Sequence, residues 1–269
     1  MQDLHFVSED YTKRKPKDYR LSISIRRDGF SFLIVHKGDV KAFSYITVDN
    51  ETREEQLQKF LNQDIFKETF GAVTIIIVQP NLTLVPKKLY DDSMLEQYAE
   101  LNFPHSETES VITYETMNSD CVVLFPIEKS VWSLCRLVFK NQEMVSYVPH
   151  VAPLLEIGAK NRKEKLYISV ESNFFTALYV KHKDIRFCNS FEFKNVNDFM
   201  FYLMNIVEQL KLDPVEIPVE IFGKMSGNSS YFSAIRLFIK NASVASSPKT
   251  DVAFPYSLFY NHCNIALCE

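Results

Sequence analysis

The sequence predicts an α/β protein of two lobes, each built as β-β-β-α-β-α. Three observations carry that expectation. Strand-like alternation opens near Arg20 and reopens at Leu166. The two openings align with each other without a gap. Each is followed by a helix with an apolar stripe and then by an apolar strand. With 269 residues, 46% of them hydrophobic, the chain is long enough to bury a full core as one large domain or two ordinary ones.

The elements follow in order. Leu21, Ile23 and Ile25 alternate with Ser22, Ser24 and Arg26, the period of a half-buried strand. Asp28-Gly29 reads as a two-residue hairpin turn of type I′. Phe30 to His36 is the second strand, Lys37-Gly38-Asp39 turns the chain again, and Val40 to Val48 is the third. Asn50 or Thr52 caps a helix whose first turn holds Glu54 and Glu55 and whose stripe is Leu57, Phe60, Leu61 and Ile65. Beyond Gly71, Ala72 to Val78 is continuously apolar, as suits a strand covered on both faces. Leu82 to Val85 is a short strand, and Asp92 or Ser93 opens a helix through Leu101. Strands at Ser110–Thr116 and Cys121–Pro126 precede a helix at Glu128–Phe139, a strand at Met144–Val148 and a helix at Val151–Lys160.

Polar Asn161 to Lys165 marks the boundary between lobes. Strands at Leu166–Val170, Phe174–Val180 and Ile185–Phe193 then repeat the opening. Asn195 or Asn197 caps a helix carrying Phe199, Leu203, Ile206, Val207 and Leu210. A strand at Val215–Phe222 contains Pro218, the mark of an edge or an irregularity. A helix at Ser229–Lys240 and a short strand at Ala242–Ala245 complete the lobe. The expected division is an N-terminal arm over 1–19, lobe I over 20–160, lobe II over 161–245, and a tail over 246–269 that docks back on the lobes.

The repeat is specific. Leu21 to Phe43 lies on Leu166 to Cys188 at an offset of 145 residues. Leu21/Leu166, Ile23/Ile168, Ser24/Ser169, Phe30/Phe175, Leu33/Leu178, Val35/Val180 and Asp39/Asp184 are identical. Ile25/Val170, Asp28/Asn173, Ser31/Thr176, Val40/Ile185 and Lys41/Arg186 are close. Alternating apolar strands match partly by patterning alone. Patterning accounts poorly for the shared Asp39/Asp184 turn and the shared order of elements.

Two such units facing each other resemble the actin-like ATPase fold, a ribonuclease H-like architecture shared by actin, Hsp70-type chaperones and sugar kinases. The segment Val122 to Lys160 resembles the strand-helix-strand-helix that closes the first half of the PilM- and GspL-type scaffolds of pilus and secretion machines. Nearly the full chain also resembles an uncharacterised family of Bacteroidetes proteins assigned to this fold. The stretches LSISIRRDGFSFLI, LTLVPKKLYDD, VVLF, CNSFEFKNVNDFMFYLMNIVEQL and the terminal LCE carry that likeness. No known activity comes with it.

The resemblance implies where ATP and Mg²⁺ would sit. Active members hold them between the lobes, with an acidic residue and glycines in the first hairpin turn of each half. Here the first turn reads Ser24-Ile25-Arg26-Arg27-Asp28-Gly29, with Arg26 at the strand-end position that implies Asp. The second reads Val170-Glu171-Ser172-Asn173-Phe174-Phe175, where Glu171 stands as a displaced acid and no glycine is present. The adenine-side loop keeps Gly223, which equally closes a strand-to-helix turn. Arg26, Asp28, Glu171, Asn173 and Gly223 are therefore the candidates for a vestigial interlobe cleft. Arginine at such a turn is expected in solvent, with anion contact as the alternative.

Composition narrows the rest. The chain has only 6 glycines, against about 19 at average usage. Phosphate loops need that residue for close backbone approach. A net charge of −4 argues against a nucleic-acid binder, leaving Lys13 to Lys17 as a solvated arm, with binding to RNA or membrane as the alternative. Five cysteines without CxxC spacing argue for free thiols, not a disulfide framework or a zinc site. No membrane-length apolar run and no signal-peptide pattern occur, so a cytoplasmic protein is the expectation. The expected function is a non-catalytic binding or scaffold protein with a protein partner, without cofactor or metal. Phe174/Phe175 or Phe254 to Tyr260 would meet that partner, or else serve the core. The alternative is a divergent ATPase or kinase that uses Glu171 and Asp28.

Overall fold

A computed structural model describes residues 4–11, 16–246 and 256–266. Strands β1 (Leu4–Val7), β2 (Arg20–Arg26), β3 (Gly29–His36) and β4 (Asp39–Thr47) precede helix α1 (Arg53–Leu61) and strand β5 (Ala72–Ile77). An insert follows: β6 (Thr83–Pro86), α2 (Leu95–Asn102), β7 (Glu109–Glu115) and β8 (Cys121–Glu128). Helix α3 (Lys129–Val138), strand β9 (Val145–Pro149) and helix α4 (Ala152–Lys160) return the chain to the first sheet. The pattern then recurs as β10 (Lys165–Val170), β11 (Phe174–Lys181), β12 (Asp184–Glu192), α5 (Val196–Gln209), β13 (Val219–Gly223), α6 (Ser230–Phe238), β14 (Ala242–Val244) and α7 (Tyr256–Ala266).

The first sheet runs β1-β4-β3-β2-β5-β9 and the second β12-β11-β10-β13-β14. Both are mixed, with an antiparallel meander joined to parallel strands through helical crossovers. The insert forms a small antiparallel sheet, β6-β8-β7. The repeat holds at the level of backbone register. The ladder irregularity between Ile34 and Val35 recurs between Tyr179 and Val180, at the same offset. Lys37 and Gly38 have positive φ, and so do their equivalents His182 and Lys183.

Those angles relocate the type I′ turn, which needs positive φ at both central residues. Lys37-Gly38 and His182-Lys183 meet that requirement. Asp28-Gly29 does not, because Arg26 pairs with Gly29 and the two-residue turn is Arg27-Asp28. Gly29 sits inside the strand, where any Cβ would collide with the Ile46 carbonyl oxygen. Other differences have local causes. Asp49, not Asn50 or Thr52, supplies the capping side chain before α1, through the Glu51 N–H. Strand β13 begins at Val219 and not Val215, since Pro218 offers no N–H to a ladder. Strand β1 adds to the outer edge of β4 from within the stretch read as an arm. Lys13, Arg14 and Lys15 lie outside the described residues.

The core explains how the two sheets are joined. Helix α4 buries Leu154 and Leu155 and packs against β11 and β12 of the second sheet. Helix α7 buries Phe259 and Tyr260 and lies against β2 and β3 of the first sheet and β13 of the second. Each unit thus ends in a helix placed on the other unit's sheet. One apolar cluster runs across, from Ile23 and Phe32 through Leu154 to Leu178 and Val180.

Candidate functional site

The first hairpins of the two units, Arg26–Gly29 and Glu171–Phe174, bound a common cavity between the sheets. Its volume is about 440 Å³, and its walls include Arg26, Asp28, Arg53, Glu128, Glu171 and Asn173. Parallel β-strands ending at a topological switch point make this a favourable place for a ligand.

Arg26 is 3% exposed, which corrects the expectation of a solvated turn arginine. Its guanidinium donates to Ser24 Oγ at 3.1 Å and Ser31 Oγ at 2.7 Å, and lies 5.0 Å from the centre of the Tyr45 ring. Its position follows from strand alternation, which turns residues 22, 24 and 26 to the face that α7 covers. From α7, His262 meets Ser22 Oγ through Nδ1 and Ser31 Oγ through Nε2, each at 2.8 Å. Burial, with the nearby Arg26 charge, holds the His262 pKa well below 6.5, so the ring is neutral.

Glu171 occupies the equivalent position in the second unit and is also buried. Its Oε1 accepts from Asn261 Nδ2 at 3.0 Å. Burial raises its pKa above the usual carboxylate value, opposed by the charges of Arg26 and Lys224.

Asp28 is fastened across the seam. It accepts from Lys224 Nζ at 2.7 Å and from the Ser172 hydroxyl. Lys224 also donates to Ser172 Oγ at 2.7 Å. Burial opposes ionisation of Asp28, but the Lys224 charge, the hydrogen bonds from Lys224 and Ser172, and Arg26 outweigh it, and the net pKa is lowered. Gly223 makes the Lys224 position available. Its φ is +82°, and a side chain there would strike the Val170 carbonyl oxygen, which instead accepts the Lys224 N–H at 2.7 Å.

Among the expected cleft residues, Arg26, Asp28, Glu171 and Asn173 line one cavity, and Gly223 stands behind it as the support of Lys224. Asn173 is exposed there, and its carbonyl accepts the Phe193 N–H. Phe174 and Phe175, offered as partner-facing, are buried, as are Phe259 and Tyr260; Phe254 lies outside the described residues. Sequence pattern does not single out Ser172, Lys224, Asn261 or His262. A hydroxyl kept at Ser31 and Thr176 was the available signal: His150 Nε2 meets Thr176 Oγ1 at 2.8 Å, just as His262 meets Ser31. Among the described residues no group of His, Cys, Asp or Glu is arranged to hold a metal ion. No helix among them is long and apolar enough to cross a membrane.

Residues 8–242 match a family described as a protein of unknown function, DUF3822. The chain belongs to that family. A DUF3822 fold of this form has a solved likeness from Bacteroides thetaiotaomicron VPI-5482, described as a protein with actin-like ATPase fold and unknown function. The two share 22% identity with a TM-score of 0.80, over 95% of this chain and 98% of the other. A PilM-PilN type IV pilus biogenesis complex is similar at 9% identity and TM-score 0.53, over 86% of this chain and 89% of that one. No curated protein matches. The fold is therefore actin-like, as the duplicated pattern implies.

Proposed function

We propose that this DUF3822 protein is a non-catalytic, actin-like scaffold that works by binding a protein partner. The observation that carries the reading is the clasp of Asp28 with Lys224 and Ser172. The carboxylate best placed to organise Mg²⁺ is already neutralised, and a lysine side chain lies between the two turns where phosphates would enter. The second turn has Asn173 and Phe174 in place of glycines, so its amides are screened by side chains. Glu171 is buried, hydrogen-bonded to Asn261, and biased toward its protonated form. Mg-ATP does not fit that donor set. The solved pilus relative is itself described as a complex, which agrees with a partner-binding role. The thiols of Cys121 and Cys135, free and buried, suit a reducing compartment such as the cytoplasm.

Isothermal titration with ATP and Mg²⁺ tests the reading. The expected result is no heat of binding up to millimolar nucleotide. Micromolar binding with slow hydrolysis would sink it. One observation favours the alternative, a divergent ATPase: Asp28 and Glu171 do line the same cavity. That alternative requires Lys224 to release Asp28, so Lys224→Ala would then strengthen nucleotide binding.

A further inference from the structure

The two sheets differ at one edge. In the first, β1 covers β4, with Leu4 opposite Tyr45 and Phe6 opposite Phe43. In the second, the equivalent strand β12 is terminal and, among the described residues, carries no neighbour on its outer side. Applying the 145-residue offset, the span Ala42–Tyr45 that receives β1 corresponds to Phe187–Ser190.

Two hydrogen bonds identify the outward backbone groups. The Lys41 carbonyl accepts from Ser8 N–H at 2.8 Å on the β1 side, and the Val48 N–H donates to the Asp28 carbonyl on the β3 side, so residues 43 and 45 turn their amides toward β1. Their equivalents are Cys188 and Ser190. Independently, the Ser190 N–H is satisfied by its neighbour's side chain, Asn189 Oδ1, at 2.9 Å. That is the provisional partner of a donor facing away from the ladder. The edge opens into two adjoining cavities of about 780 and 590 Å³ that follow it from Lys183 to Glu192. The opposite wall includes Leu82, Leu84 and Phe103, and its strand β6 is itself terminal in the small sheet.

We infer that the β12 edge is a docking site for an extended segment of a partner protein, added antiparallel along Arg186–Ser190. The observations favour an extended strand because a strand already occupies the equivalent edge in the same fold. They set its pattern as alternating apolar and polar residues, because the groove has aliphatic and aromatic groups on its wall and Asp184, Arg186 and Glu192 at its rim. One apolar side chain would lie over Cys188, which is small where the first unit has Phe43, the residue that stacks on Phe6. The chain's own β1 is engaged on β4, secured by Lys41 to Asp10 at 2.7 Å. This inference deepens the scaffold reading and names the form of its partner, yet it stands on different residues. Nucleotide binding would overturn the scaffold reading and leave the strand edge as it is.

The test pans a phage-displayed library of random octapeptides against the full chain, then titrates the best binder as a labelled synthetic peptide. The expected peptide alternates apolar and polar residues and protects the amides of Cys188 and Ser190 from hydrogen exchange. Ser190→Pro removes one outward donor and should weaken binding at least tenfold while the chain stays folded. Should that variant misfold, N-methylation of the peptide replaces it. Methyl groups on alternate residues should abolish binding in one phase and spare it in the other. Failure to select a binder, protection elsewhere, or indifference to both changes overturns the inference. Concentration-dependent dimers abolished by Ser190→Pro would also overturn it, by assigning the edge to a second copy.

Discussion

The first hairpins of the two sheets share a register but not a charge. Arg26 and Glu171 are equivalent, both buried, and opposite in sign. Asp28 corresponds to Asn173, so a carboxylate in one turn is matched by an amide in the other. The backbone frame is kept down to a ladder irregularity, while the polar groups at its end differ. The difference teaches where the two constraints act. Register is set by apolar residues shared across the repeat, and a one-residue slip would turn every one of them to the wrong face. The seam is set by what α7 and Lys224 bring to it, and those arrive from the second unit alone.

The largest effects should come where the repeats are alike. Phe30 and Phe175 are equivalent and fully buried. Phe175 has the Phe199, Phe191 and Phe193 rings within 6.3 Å, while Phe30 has Phe60 at 5.6 Å and Arg53 over its face. Either alanine variant should lose about 3–5 kcal/mol in urea unfolding. Phe175→Ala should lose the more, since each aromatic pair adds about 0.5–1.5 kcal/mol beyond its area. A larger loss at Phe30 would break the equivalence of the two cores.

Much of this was legible in the sequence, for a physical reason. Alternation and the offset of 145 are local signals, so the meanders, the boundary strands and the crossover helices could be read directly. The first turn departs from its sequence signal because Asp28-Gly29 has the composition of a type I′ hairpin, while Gly29 is used for close approach to Ile46. The seam was not legible because its partners are remote: His262 is 240 residues from Ser22, and Lys224 is 196 from Asp28. Arg26 reads as a surface residue for the same reason, since its cover is supplied by the remote α7.

The two buried histidines give an intermediate effect. His262 bridges Ser22 and Ser31, whereas His150 holds Thr176 alone. Orphaning a buried hydroxyl costs about 1–3 kcal/mol, so His262→Ala should be the more destabilising variant in the same assay. Acid should act through both. Burial holds the His150 pKa at about 3 against 6.5 unfolded. Its stabilising contribution is present above pH 6.5 and falls away as pH drops from 6.5 toward 3, because the unfolded chain takes up the proton first. His150→Gln should reduce the slope of stability against pH in that window by up to about 1.4 kcal/mol per pH unit. Glu171 works in the opposite direction. Its raised pKa makes its contribution largest below 4.5 and smaller as pH rises, so Glu171→Gln should remove that decline.

The smallest effect is expected at the clasp, where it decides the most about function. Lys224 and Asp28 have side chains 12% and 42% exposed, so solvent screens their attraction and Lys224→Met should cost about 1 kcal/mol or less. The carboxyl titration of Asp28, followed by NMR, should move much more than the stability does. In the intact chain the lowered pKa adds stability above 3.8, and this is lost as pH falls through the folded value. With the lysine gone, burial is opposed only by Ser172 and Arg26, and the pKa should rise. A titration that stays where it was would mean that Arg26 and Ser172 suffice to hold the carboxylate, and that Lys224 is a bystander in the seam. A rise would mark Lys224 as the group that holds Asp28 ionised, through the ion pair that joins the two turns.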